Sequence, residues 1–224
     1  MAIGIGMHVQ DPSDDSMNLA MSEAGRPLYD AVKVFVTTEV EPLTEEFFRL
    51  GEDRADRWSW APGQLELLDG LKAEARKQGL WNFFLPDAET GEGLSNLDYA
   101  YIAAELGRSR LASESLNCSA PDTGNMEVLE RVGTPEQKEQ WLEPLLNGEI
   151  RSCFGMPEPG LASSDAKNIA TQAILDGDEW VINGEKYYIS GAGDPRCKVM
   201  ILSLIHISEP TRPRLISYAV FCLK

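Results

Sequence analysis

An α+β fold is predicted: an N-terminal helical bundle domain over residues 22–150, then a truncated antiparallel β domain over 151–202. Three observations predict it. Helical periodicity, broken by capping signals, runs as far as Gly148. Short strand signals separated by turn residues take over at Ser152. A block of helices followed by a block of strands is the pattern of two successive domains.

Residues 1–21 read as a leader containing the turn-rich run Asp11-Pro-Ser-Asp-Asp-Ser16, and Met17 is an alternative start. Gly4 and Gly6 lack the third glycine and the strand–turn–helix setting of a dinucleotide fingerprint. Pro27 suits the first turn of a helix continuing toward Glu39, and Pro42 is expected to interrupt or end it. Pro62 starts a second helix that Gly79 stops, with Leu65, Leu68, Leu71 and Ala75 as its buried stripe. Trp81, Phe83, Phe84, Leu85 and Pro86 read as core packing rather than a ligand cage. Ser95 is a candidate N-cap, with Asp98 as a weak capping-box acid; Tyr99, Ile102, Ala103 and Leu106 then mark one helical face, ended by Gly107. Residues 121–132 form a further helix interrupted by Gly124. Thr134, Pro135 and Gln137 restart a helix, which Pro144 bends or ends.

Strands are predicted over 152–156, 169–175 and 180–182, with a turn at Asp176-Gly-Asp-Glu179. Asn183-Gly184 is a hairpin signal, making 185–190 a return strand before another beginning at Lys198. Residues 203–224 lose the sheet pattern and the acidic bias. They read as foreign sequence of the kind translated from a sequencing adapter, or else as a divergent tail.

A chain of 224 residues with 43% hydrophobic and 25% charged content buries an ordinary globular core. Twenty basic residues against 36 acidic ones leave a net charge of −16, which argues against nucleic acid and anionic membranes as partners. Cys118, Cys153, Cys197 and Cys222 show no CxxC or zinc spacing, so reduced thiols and an intracellular, cytoplasmic setting are expected. His8 and His206 are far apart, and no metal site is expected. No apolar run is long enough to span a bilayer, and without a basic region followed by a continuous apolar core a secretion signal is not expected.

The segment Arg151-Ser-Cys-Phe-Gly-Met-Pro-Glu-Pro-Gly-Leu-Ala-Ser-Ser-Asp165 begins as a strand and ends as a loop of small residues, prolines and hydroxyls. Pro157 and Pro159 hold Met156 and Glu158 extended, while Gly155 and Gly160 let backbone approach a flat ligand. By composition this is either a polar connection between domains or one wall of a cofactor site.

Phe154-Gly-Met-Pro-Glu-Pro-Gly-Leu-Ala-Ser-Ser-Asp165 resembles the flavin-binding signature of the acyl-CoA dehydrogenases. The resemblance runs from about Met17 to Leu202 and takes in Pro121-Asp-Thr-Gly-Asn-Met-Glu-Val-Leu129, Gln140-Trp-Leu-Glu-Pro-Leu-Leu-Asn-Gly-Glu149 and Gly191-Ala-Gly-Asp-Pro195. The extra residue between Glu158 and Asp165 resembles the family's eukaryotic members ten and eleven and their bacterial relatives.

The resemblance implies FAD as cofactor and an acyl-CoA substrate oxidised to trans-2-enoyl-CoA. It also implies electron-transferring flavoprotein as acceptor, a homodimer or homotetramer, and a place in fatty acid metabolism. It gives Phe154, Gly155, Met156, Pro157, Glu158, Ser163 and Ser164 to the loop under the flavin, with Glu158 structural rather than a base. Tyr188, Ile189 and Ser190 would supply an aromatic wall and a hydroxyl at the flavin edge, and Ser164 would also hydrogen-bond the CoA or acyl portion. The bland readings are a strand-core Tyr188 and an exposed strand-end Ser190. Pro157 replaces the usual threonine and Tyr188 the usual tryptophan. In the resembled family the catalytic glutamate belongs to a C-terminal helical domain, which is expected to lie outside this sequence, so no catalytic residue is assigned here. The chain is expected to be an enzyme fragment, inactive alone. The alternative is a non-catalytic acyl-CoA-binding or assembly module on the same scaffold.

Overall fold

The computed structural model describes residues 19–85, 91–162, 166–204, 206–208 and 217–222. Most of the leader, Pro86, Ser163, Ser164, Asp165 and most of the tail lie outside them. Within them, a helical region leads into two small sheets, as expected.

Helix α1 (Arg26–Phe35) carries Pro27 in its first turn. Pro42 does not end the rod that follows. It lacks the N–H that would reach back one turn, and the chain absorbs an extra residue ahead of it as a π-turn over Val36–Val40. The Glu41 N–H donates to the Val36 carbonyl, and α2 (Glu41–Leu50) continues. The same device corrects the expectation at Pro144. Helix α7 (Pro135–Gln137) passes through a π-turn at Lys138–Leu142 into α8 (Glu143–Leu146), with Glu143 N–H on the Lys138 carbonyl.

Local signals are honoured elsewhere. Helix α3 (Gln64–Lys77) closes with Gly79 at φ 73, its N–H on Arg76 O and the Leu80 N–H on Ala75 O. That is the left-handed stop for which glycine is suited. Helix α4 (Asn96–Leu106) is capped by the Ser95 hydroxyl, which accepts from the Asp98 N–H at 3.1 Å. Asp98 does not return to the Ser95 backbone. Its carboxylate takes Ser22 N at 2.7 Å and Ser22 Oγ at 2.9 Å, tying the start of the chain to α4. Ala103, expected on the buried face of α4, is exposed. Helices α5 (Ala112–Ser115) and α6 (Asp122–Val132) follow, and the Thr134–Gln137 capping box at the head of α7 is complete.

α1 packs on α4 and α3 on α5. Phe35, Leu68, Phe83, Ile102, Leu106, Met126, Leu129 and Leu145 form one buried cluster, which reaches Val199 in the sheet. Full burial of each such side chain contributes roughly 1.5–3 kcal/mol. Trp81 is half-buried, and its Nε1 donates to Leu146 O at 2.8 Å; the aromatic run is packing, as expected.

Strands β1 (Arg151–Gly155), β2 (Gln172–Asp176), β3 (Glu179–Asn183), β4 (Cys197–Leu204), β5 (His206–Ser208) and β6 (Ser217–Cys222) make two sheets, ordered β1-β4-β6 and β3-β2-β5. β2–β3 and β4–β6 are antiparallel, while β1–β4 and β2–β5 run parallel. The β2–β3 hairpin turns at Gly177-Asp178, with Asp176 opposite Glu179 and Gly177 at φ 62. Asn183-Gly184 closes no hairpin, and residues 185–190 form no strand. Two tethers explain this. Lys186 and Tyr187 are bonded to residues 156–158, and Tyr188 sits at φ 52, a left-handed conformation incompatible with a ladder.

Candidate functional site

α6 is stapled to β1 by buried polar groups. Asp122 Oδ1 accepts from Ser152 N at 2.7 Å and from Ser152 Oγ at 2.5 Å. Arg151 Nη2 lies 2.8 Å from Asp122 Oδ2. Asn125 Nδ2 donates to Ser152 Oγ at 2.8 Å and to Cys153 O at 3.1 Å. Burial raises the Asp122 pKa above the ordinary carboxylate value, against the opposing pull of Arg151 and Ser152. Behind the staple, Glu114 of α5 faces Arg196 Nη1 at 2.6 Å, Lys72 Nζ at 3.2 Å and Arg151 Nη1 at 3.8 Å. Burial pushes the Glu114 pKa up, but the three cations outweigh it and the net shift is downward.

The staple leaves a cleft of about 470 Å³ between α6 and the sheet. Pro121, Gly124, Asn125 and Val128 line it along one face of α6, opposite Phe154 of β1 and Ile201 of β4. The i, i+3, i+4, i+7 spacing puts those four residues on one stripe. None of the described residues lining the cleft is ionisable. Such a wall suits an apolar group rather than a charged one.

The loop after β1 is held from the far side. Lys186 Nζ donates to Met156 O at 2.9 Å, and the Tyr187 N–H donates to Pro157 O at 3.1 Å. Glu158 is buried, 3% exposed. Its carboxylate accepts from Ala170 N at 2.7 Å, Thr171 N at 2.9 Å, Lys186 Nζ at 2.8 Å and the Thr171 hydroxyl. Burial alone would raise its pKa; the bonds from Lys186, Thr171 and Ala170 win and lower it to about 2. Glu158 is thus an anionic brace inside the loop.

The structure brings residues 154–158 and 186–190 together. Phe154 borders the cleft, and Gly155 is buried against Leu202 and Met200. Tyr188 is 88% exposed, its ring 4.6 Å from that of Tyr187; Ile189 is half-buried and Ser190 exposed. Ser163 and Ser164 lie outside the described residues. A further pair of contacts joins this loop to the helical region: Trp58 packs closely against Gly193, and Trp60 Nε1 donates to Asp194 Oδ1 at 3.4 Å. Sequence reasoning missed Asp122, Asn125, Lys186 and Trp58. The first two fall inside the Pro121–Leu129 motif, where a buried acid and amide in a helix's first turn were the available signal.

Helical and β regions in this order, with an apolar cleft at their junction, define the class of protein: the architecture is that of solved acyl-CoA dehydrogenases. A Mycobacterium abscessus structure assigned to these enzymes superposes with a TM-score of 0.79 at 46% identity, over 91% of this chain and 51% of that one. A Bacillus anthracis acyl-CoA dehydrogenase solved with FAD shares the fold at 23% identity and a TM-score of 0.61, over 90% of this chain and 31% of that one. The chain belongs to the acyl-CoA dehydrogenase family, matching its N-terminal domain over residues 22–149 and its middle domain over 153–221. Mouse acyl-CoA dehydrogenase family member 10 is 47% identical over 199 residues, 87% of this chain and 18% of that protein. Human family member 11 is 48% identical over 181 residues, 80% of this chain and 22% of that protein. The chain therefore spans about a fifth of these two relatives and about half of the M. abscessus chain.

FAD is the cofactor of this family. The residues present fit a flat ring system. Gly160 has φ 72, and a Cβ there would meet nothing within 4 Å, so backbone stands open at the turn. The exposed Tyr188 offers an aromatic face next to Tyr187, whose N–H is tethered to Pro157 of the same loop. Pro157 is the poorer element. It has no N–H to give, and its carbonyl is engaged by Tyr187.

Proposed function

We propose that this chain forms the helical and flavin-edge portion of an FAD-dependent acyl-CoA dehydrogenase. The observation that carries the reading is the Tyr187 N–H···O=C Pro157 bond, which joins two segments 30 residues apart into one edge. Phe154, Gly155, Met156, Pro157, Glu158, Ser163 and Ser164 make the loop under the ring, with Glu158 bracing it from inside. Tyr188, Ile189 and Ser190 make its aromatic and hydroxyl border. The α6–Phe154 cleft receives the acyl chain. When bound, FAD supplies the hydride acceptor for oxidation of an acyl-CoA to the trans-2-enoyl-CoA. The protein's part is to exclude water from the acyl chain and hold the thioester in place. Among the described residues no carboxylate borders the cleft, so the group that takes the α-proton comes from elsewhere. Electron-transferring flavoprotein as acceptor, a homodimeric or homotetrameric state, a role in fatty acid metabolism and a cytoplasmic setting belong to the same proposal. No helix among the described residues is long and apolar enough to cross a membrane.

A second reading, a non-catalytic acyl-CoA-binding or assembly module, is favoured by Pro157 alone. Titrating the chain with octanoyl-CoA in the presence and absence of FAD separates the two. The dehydrogenase reading expects saturable flavin binding that tightens with the thioester; the module expects thioester binding indifferent to flavin. A chain that binds neither ligand contradicts both.

A further inference from the structure

Gly124 stands in the first turn of α6, on the stripe that faces the cleft. Nothing in the chain's own structure calls for glycine there. It is not in the positive-φ region where glycine is favoured, and an added Cβ would meet nothing within 4 Å. Glycine also weakens a helix relative to alanine. A residue that costs stability, relieves no clash and adopts no special backbone has one remaining effect visible in the fold. It removes a side chain from the wall of the cleft. The neighbours on that stripe, Pro121, Asn125 and Val128, all carry bulk.

We infer that Gly124 determines which acyl groups the cleft accepts, keeping it wide enough for a branched or ring-bearing acyl chain. This rests on the acyl reading of the cleft. A volume of about 470 Å³ lies in the range of pockets that enclose whole small molecules, roughly 300–1,000 Å³. Gly124 lines that space and an added Cβ meets no protein atom within 4 Å, so a side chain there competes with the ligand and not with the core.

The test uses the 224-residue chain with Gly124→Ala and Gly124→Leu, and reads two quantities. Calorimetric titration gives the affinity for butyryl-CoA and for cyclohexylpropanoyl-CoA; thermal unfolding gives stability. Both variants are expected to unfold at or above the temperature of the unsubstituted chain, because alanine and leucine are better helix formers. Gly124→Ala weakens the ring-bearing thioester about fourfold, for one displaced methylene equivalent. Gly124→Leu weakens it about fifteenfold for each pair of methylenes displaced. Butyryl-CoA, which fills less of the cleft, loses less affinity than the ring-bearing thioester in both. A purely structural glycine would move stability and both affinities together. Equal affinities for the two thioesters in all three proteins, or equal losses of both, overturn the inference while leaving the acyl reading standing. An unsubstituted chain that binds neither thioester overturns the acyl reading and this inference together.

Discussion

The indole of Trp58 rests on Gly193 so closely that a methyl group at 193 would fall inside the ring atoms Cε3 and Cζ3. The helical region thereby reaches across and covers the turn that follows Tyr188-Ile189-Ser190. Asp194, next along, is held by Arg196 Nη2 at 2.7 Å and by the Trp60 indole, and the Arg196 guanidinium lies 4.4 Å from the Trp60 ring centre.

Gly193→Ala is therefore expected to expel Trp58 and to cost about 1–3 kcal/mol, the usual penalty of overpacking. Urea unfolding followed by tryptophan fluorescence checks it. The midpoint should fall and the native emission should shift red. An unchanged midpoint and spectrum would mean that the two loops are not in contact.

The α6 staple makes a second prediction. Arg151→Met leaves Asp122 buried without its cation, at a cost of about 3–5 kcal/mol. Arg151→Met combined with Asp122→Leu removes both charges and should recover part of that loss. Chemical denaturation of the two variants and the parent measures the difference. A double variant no more stable than the single one would contradict the pairing.

Glu158 predicts a pH dependence with a definite sign. Its folded pKa, about 2, is depressed from the ordinary value of 4.5. The stabilisation is present above the ordinary value and is lost as pH falls through about 2, because the unfolded state takes up the proton first. The stability gap between the parent and Glu158→Gln should be constant from neutral pH down to about pH 5 and shrink below it. Urea midpoints of both proteins at a series of pH values report it. A gap that widens on acidification would show that the carboxylate is not held ionised.

Pro157→Thr supplies an N–H and a hydroxyl in the loop proposed to lie under the flavin, while keeping the carbonyl that accepts from Tyr187. Two typical hydrogen bonds at about 0.5–1.5 kcal/mol each should raise flavin retention by about fivefold to a hundredfold. Equilibrium dialysis against FAD compares the two proteins. Equal retention would place the loop away from the ring.

What the sequence made legible was local. The Ser95 and Thr134 caps, the Gly79 stop and the Gly177 turn are each written within a few residues, and each forms. The α-helix is interrupted ahead of Pro42 and of Pro144, but that the chain continues through a π-turn rather than ending leaves no mark in the sequence; the π-turn only shifts which carbonyl the preceding N–H finds. The strand expected at 185–190 failed for a non-local reason. Lys186 and Tyr187 bond to Met156 and Pro157, 30 positions earlier, and that competition cannot be seen in an alternating pattern. Asp122 and Asn125 were passed over likewise, since their partner Ser152 lies 30 and 27 residues away. The segment after β1 stands out in the sequence as a motif; the apolar cleft bordered by Phe154 needed α6 and β1 to be placed together.

The most direct test is an FAD titration of this chain and its Tyr188→Ala variant, followed by flavin fluorescence, with circular dichroism confirming that both are folded. The account predicts saturable binding by the parent, with partial quenching of the flavin, and markedly weaker binding by the variant. Saturable binding of equal strength in both proteins, or none in a folded parent, would contradict the claim that residues 154–158 and 187–190 form one flavin edge.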